Sequence, residues 1–348
     1  MGCLEGKHLV IRADASTQMG TGHLMRCLAL AQAWKDTGGR VTFITACQNK
    51  NLLQRLKEAD FDLHALVHPH PHPGDWDYTK DILAAHPNAW IVLDGYHFDE
   101  VYQQQIKEVG HRLLLIDSGA HLKRYYADIV LNPYLHAEQL CYSCEPYTHL
   151  LLGTRYVPLR REFLAWKDWK REIPKVARRV LVTLGGSDPA NTTLKVLQAL
   201  QQIEIAGLEA IVIIGASSPH SNMLETTAKQ SRILLHLIHD VANMVELMTK
   251  ANLAITAGGT TTWEMCFTGL PMLVIVTADN QRENVRAMHQ AGIAENLGWH
   301  KNVDKNNIAG QLGAMMDSQE LRQSMSRTQR GMVDGLGSER ILSKMREL

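Results

Sequence analysis

Short apolar runs alternate with segments of helical period twice along this chain, and that alternation leaves few ways for it to fold. In the first half the runs lie near residues 8–12, 41–45, 62–66, 89–93, 112–117, 128–131 and 149–152, with helical segments near 22–37, 50–59, 77–86 and 99–109. A second series starts at Arg179-Val-Leu-Val-Thr-Leu184 and continues near 210–214, 232–236, 252–256, 272–276 and 294–297. Strands alternating with helices imply parallel sheets covered on both faces. With 348 residues, 45% of them hydrophobic, the chain can bury two such cores. The expected architecture is therefore α/β, with two doubly wound domains at 1–155 and 177–335. The charged stretch Lys167-Asp-Trp-Lys-Arg-Glu-Ile-Pro-Lys175 marks a linker over 156–176, and a last helix within 336–348 is expected to pack back on the first domain. Ligands of open parallel sheets lie beyond the carboxyl ends of the strands, so a cleft between the domains is the expected place for a shared ligand.

The first strand, His8-Leu-Val-Ile-Arg12, runs into Gly20-Thr-Gly-His23 and then a helix marked by Leu24, Cys27, Leu28, Ala31 and Trp34. His23 thus falls in the first helical turn, beside amides with no intrahelical partner. The partial positive charge there disfavours imidazolium, which suits a general base. Gly20 and Gly22 match the first two glycines of a dinucleotide fingerprint. The third position is Met25, and the second strand is followed by Ala46, Cys47 and Gln48 instead of a ribose-binding acid, so no nicotinamide cofactor is expected.

In the second half two glycine turns each end a strand and open a helix: Leu184-Gly-Gly-Ser-Asp-Pro189 and Ala257-Gly-Gly-Thr-Thr-Thr-Trp-Glu264. Amides at Gly186, Ser187, Gly258, Gly259, Thr260 and Thr261, with the hydroxyl of Thr262, are placed to hold an anion without any lysine. The P-loop lysine is absent, which disfavours triphosphate hydrolysis. Glu264, one turn in, becomes sensible if it reaches past phosphates to ribose hydroxyls, which makes a nucleotide diphosphate the natural ligand. The competing reading is that Thr260 to Thr262 cap the helix and Glu264 favours its dipole. Asn280 and Gln281 follow another strand and suit sugar hydroxyls or acetamido groups, although Asn280 is equally placed for plain N-capping.

Formal net charge is zero, with no basic block to recommend nucleic acid or an anionic membrane. No apolar run approaches a membrane span, and Met1-Gly-Cys-Leu-Glu-Gly6 lacks a secretory pattern, so a cytoplasmic protein is expected, with reduced thiols. Cys141-Tyr-Ser-Cys144 has metal-pair spacing but no second pair, and no metal site is expected. His68-Pro-His-Pro-His-Pro73 reads as an extended solvated loop.

The run Gly258-Gly-Thr-Thr-Thr-Trp-Glu264, then Gly269-Leu-Pro-Met272 and Asp279-Asn-Gln281, resembles the nucleotide-sugar half of UDP-sugar enzymes with the two-Rossmann-domain glycosyltransferase (GT-B) fold. Arg12-Ala-Asp-Ala-Ser16 with Gly20-Thr-Gly-His23 and Arg26-Cys-Leu28 narrows the resemblance to the UDP-sugar hydrolases of pseudaminic acid biosynthesis and their spore-coat-polysaccharide relatives. The resemblance implies cleavage of UDP-2,4-diacetamido-2,4,6-trideoxy-β-L-altropyranose to UDP and the free sugar; because UDP is a stable leaving group, inverting attack of water is expected, and the chain is expected to be a monomer. It implies His23 as the base, with Asp14 or Tyr96 orienting that base or the water. Glu264 then binds ribose, and Asn280, Gln281, Arg160 and Gly22 face the sugar. A glycosyltransferase using the same donor, or a hydrolysing epimerase, shares the fold and remains a rival.

Overall fold

A computed structural model describes residues 4–16, 19–215, 218–239, 241 and 243–348. Cys3, and Thr17 and Gln18 of the first turn, lie outside the described residues. Two compact units emerge, one of Met1–Arg161 with Gly335–Leu348 and one of Glu162–Asp334.

The first unit holds seven parallel strands: β1 (His8–Ala13), β2 (Arg40–Thr45), β3 (Asp62–Ala65), β4 (Trp90–Asp94), β5 (Arg112–Ile116), β6 (Ile129–Asn132) and β7 (His149–Leu152). Their spatial order is β3-β2-β1-β4-β5-β6-β7. Because side chains alternate along a strand, one strand feeds two cores. Leu9, Ile11 and Ala13 of β1 join Leu24, Leu28 and Trp34, whereas Val10 joins Leu83, Ile91 and Leu93 on the opposite face. Burying each such Leu or Ile contributes about 1.5–3 kcal/mol, which explains why β1 and β4 read as continuous apolar runs. The helix Gly337–Glu347 adds Ile341, Leu342 and Met345 to the first of these cores.

The second unit holds six parallel strands: β8 (Arg179–Thr183), β9 (Glu209–Ile214), β10 (Leu234–His239), β11 (Leu253–Ala257), β12 (Met272–Val276) and β13 (Glu295–Trp299). They run in the order β10-β9-β8-β11-β12-β13. Burial is complete along β11 and β12 and alternates along β9.

The stretch expected as a linker is absorbed into the two units. Arg161 belongs to the first, donating its amide to Gln32 and pairing with Asp36. Arg171 belongs to the second, donating to the carbonyls of Met248 at 2.7 Å, Ala251 at 2.6 Å and Thr268 at 3.0 Å. It closes the carboxyl ends of two helices. Burial, with the nearby Arg330 charge, pulls its guanidinium down to about 9.

Candidate functional site

In a doubly wound sheet the crevice opens where the strand order reverses. In the first unit that point lies between β1 and β4, and the register there pairs Ala13 with Asp94. The helix following β1, Gly22–Asp36, carries His23 at its second position, and His23 is 6% exposed. Its Nδ1 lies 2.5 Å from Asp94 Oδ1. The Arg26 guanidinium, one turn further on, donates from Nε to Asp94 Oδ2 and from Nη2 to Asp94 Oδ1, each at 2.5 Å. Burial alone would raise the Asp94 pKa, but the Arg26 charge and the hydrogen bonds from Arg26 and His23 overcome it and hold the group at about 2. A carboxylate is acceptor-only, so it fixes the proton on His23 Nδ1 and leaves Nε2 as the lone pair of the ring. Arg26 Nη2 also lies 3.1 Å from His23 Nδ1. The shorter carboxylate contact decides the tautomer, since the guanidinium can only donate.

Asp94 is the residue that sequence reasoning missed as the partner of His23. Asp14, offered together with Tyr96 to orient the base or the water, directs its carboxylate to other partners. Its Oδ1 accepts from Arg12 Nη1 at 2.5 Å and from the Ala46 amide at 2.7 Å, while Oδ2 faces His97 Nε2 at 3.4 Å. Burial opposes ionisation of Asp14, yet His97 and Arg12 pull its pKa well below the carboxylate range. Arg12 also binds Asp75, which accepts from Tyr102 Oη at 2.7 Å. The His/Pro loop is not simply solvated: the ring of His70 packs against His97, Phe98 and Tyr102 beside this network. Gly95 makes room for it, because a Cβ there would collide with the His97 ring. Tyr96 does meet His23, edge-on with ring centroids 5.3 Å apart, and is 41% exposed. Gly22 opens the His23 helix, and Arg160 is buried within the first unit.

In the second unit the order reverses between β8 and β11, and the register pairs Thr183 with Thr256. The two glycine turns, with Gly186 and Ser187 on one and Gly258 to Thr262 on the other, therefore leave neighbouring strands at one level. The helix Thr261–Thr268 starts there with Glu264 in its first turn. The amides of Gly259, Thr260 and Thr261 have no carbonyl acceptor among the described residues, the arrangement that favours an anion.

Four of the expected residues have placements that bear on their roles. Thr262 is wholly buried and donates its hydroxyl to the Gly259 carbonyl at 2.7 Å, so it shapes the turn instead of facing a ligand. The Gly258 amide donates to Gln281 Oε1 at 3.2 Å. That same oxygen accepts from the Thr277 amide at 3.0 Å and the Thr277 hydroxyl at 3.2 Å, so Gln281 ties two loops together through its Oε1. Gly258 is glycine because a Cβ would collide with Val285 Cγ2. Asn280 is exposed and is not an N-cap; that position before Arg282–Gln290 belongs to Gln281, whose side chain makes no capping bond.

Cys141 and Cys144 are free thiols. Among the described residues no group of three or more His, Cys, Asp or Glu has the geometry to hold a metal ion, and no helix is long and apolar enough to cross a membrane.

Two parallel-sheet α/β domains with glycine turns at their switch points make this the two-Rossmann, GT-B fold. Residues 180–339 match the glycosyltransferase family 28 C-terminal domain. The chain is 25% identical to the spore coat polysaccharide biosynthesis protein SpsG of Bacillus subtilis over 98% of both chains. It is 24% identical to the UDP-2,4-diacetamido-2,4,6-trideoxy-β-L-altropyranose hydrolase of Campylobacter jejuni, over 70% of this chain and 82% of that one. An uncharacterized protein of Methanocaldococcus jannaschii is 28% identical over 79% of this chain, which spans only 57% of that protein's length. Among solved structures, Acinetobacter baumannii MurG has a TM-score of 0.66 at 14% identity, covering 98% of this chain and all of that one. A Listeria monocytogenes UDP-N-acetylglucosamine 2-epimerase has a TM-score of 0.67 at 15% identity, with coverage of 99% and 96%.

Proposed function

We propose that this chain is an enzyme acting on nucleotide sugars, and specifically a hydrolase that cleaves the anomeric C–O bond of a UDP-linked diacetamido-trideoxy sugar to UDP and the free sugar. The observation that carries the reading is the His23–Asp94 pair at the β1/β4 switch point, a buried histidine whose Nδ1 lies against an ionised carboxylate. UDP is a stable anion, so the reaction needs an activated water and stabilisation of the departing diphosphate more than a strong acid. His23 Nε2 takes the proton from water as its oxygen attacks the anomeric carbon, and Asp94 and Arg26 hold the imidazole in line. The amides of Gly259, Thr260 and Thr261, with those at Gly186 and Ser187, stabilise the diphosphate, and Glu264 accepts from ribose hydroxyls. The named hydrolase among the relatives supports the choice of substrate.

Hydrolysis in oxygen-18 water tests the mechanism. Label in the sugar is the expected outcome; label in UDP means attack at phosphorus and refutes it. The match to a glycosyltransferase domain favours transfer to an acceptor as the second reading. The two separate on whether UDP is released from nucleotide sugar with no acceptor present.

A further inference from the structure

A second carboxylate–histidine pair stands one strand away from the first. Asp117 follows β5, which lies beside β4 with Ile116 paired to Asp94. Its Oδ1 faces His121 Nδ1 at 3.1 Å. Its Oδ2 accepts from Tyr142 Oη at 2.9 Å and from the amides of Gly119 at 3.2 Å and Ala120 at 2.8 Å. Tyr142 is itself held by Asn132 Nδ2 at 2.8 Å. This carboxylate is anchored on every side, and nothing in the hydrolytic scheme above uses it.

What the cluster points at is Tyr96. Ser118, next to Asp117, donates its hydroxyl to Tyr96 Oη at 2.9 Å. The His121 ring lies edge-on to the Tyr96 ring with centroids 6.2 Å apart. Tyr96 in turn meets His23 edge-on at 5.3 Å. A tyrosine 41% exposed would otherwise sample several rotamers.

We propose that Asp117, Ser118 and His121 form a positioning unit that holds Tyr96 edge-on against His23, so that the base is fixed both by Asp94, the last residue of β4, and by Tyr96 of the loop that follows it, which the cluster after β5 braces. Asp117 raises the pKa of His121 through their hydrogen bond, against its partial burial, and a bond to the Tyr96 backbone adds to the rise. A protonated His121 is a donor on both nitrogens and bridges the anchored carboxylate to the Tyr96 loop. His121 and Ser118 act through Tyr96 and touch no reacting atom.

This inference rests on the hydrolase reading for its kinetic consequence but not for its geometry, so it is tested by two readouts on the full chain. The first is the His23 Cε1–H chemical shift in carbon-13 histidine-labelled protein, which senses the ring current of Tyr96. His121→Phe and the milder Ser118→Ala are expected to move it toward the value in Tyr96→Leu, with His121→Gln restoring part of the shift. The second is UDP release, in which His121→Phe lowers kcat about 10- to 100-fold, as loss of an outer-shell partner does, and Ser118→Ala about threefold to tenfold. KM stays within about threefold for both, since binding of ground-state substrate is untouched. A His23 shift that stays at the wild-type value in both variants overturns the proposal, even if kcat falls. If the wild-type protein releases UDP from no nucleotide sugar, the hydrolase reading fails while the chemical-shift test still decides the geometry.

Discussion

Replacing Asp94 by asparagine tests the proposed base most sharply, because it preserves shape and changes one charge. Arg26 donates to Asp94 through both Nε and Nη2, each at 2.5 Å. In Asp94→Asn the single carbonyl oxygen is claimed by that guanidinium, and the amide NH2 turns toward His23 Nδ1. A donor there makes Nδ1 the acceptor and moves the ring proton to Nε2, the nitrogen required to take a proton from water. The expected loss is that of a positioned base, about 10²- to 10⁴-fold in kcat. Arg26 is buried and loses its counter-charge, so unfolding free energy should fall by about 3–5 kcal/mol. The two effects are separated by measuring UDP binding calorimetrically at a temperature where urea titration shows the variant folded. Nitrogen-15 spectra of labelled histidine then report the tautomer directly: Nδ1–H in the wild type, Nε2–H in the variant. Turnover within about threefold of wild type in a folded Asp94→Asn protein would refute the orienting role, and an unchanged tautomer with lost activity would refute the reason given for it.

His23→Ala should cut kcat by about 10²- to 10⁴-fold while UDP affinity stays near wild type, measured by calorimetry beside steady-state kinetics; retained turnover rules out His23 as the base. Gly258→Ala forces a Cβ onto Val285, which is fully buried, and crowds Gln281, so about 1–3 kcal/mol of stability and about tenfold in UDP affinity should be lost, with urea midpoints and titration calorimetry as the checks. His8 stacks on His86 at 3.7 Å and bonds to Thr42 at 2.8 Å; burial first and the His86 charge second lower its pKa from 6.5 to about 4. The unfolded chain therefore binds the extra proton first, and stability present above pH 6.5 is lost as pH falls toward 4. Screening at this half-buried position reduces the effect to about 1 kcal/mol, and His8→Gln should flatten the urea midpoint across that window. Activity is expected to survive exhaustive chelation, and a chelator-sensitive, metal-restored activity would contradict the diphosphate assignment to amides alone.

The strands were legible because a parallel strand buried on both faces must be apolar at successive positions, as in Leu9-Val-Ile11 and Ile91-Val-Leu93. His23 was legible for a similar reason: the end of such a run followed by glycines and a helical period can only be a strand–turn–helix corner. Its partner was not. Asp14 and Asp94 both follow apolar runs, and Asp14 is far nearer in the chain, yet only the strand order sets β4 beside β1 and brings Asp94 level with Ala13. The motif resemblance offered Asp14 or Tyr96 as the orienting group, and the fold adds a third: β1 ends by sending Asp14 toward Arg12 and the Ala46 amide after β2, while the helix turns His23 back over β4. Side-chain direction hid the rest. Thr260, Thr261 and Thr262 look alike in a list of residues, but each helical step rotates the side chain by about 100°, so one hydroxyl of the three is carried inward. Thr262 is that one, and burial commits it to the Gly259 carbonyl. Gln281 shows the same limit: its amide was legible as a polar group at a strand end, but the choice between a ligand and the loop amides of Gly258 and Thr277 is made by the distance between two strands that only the fold brings side by side.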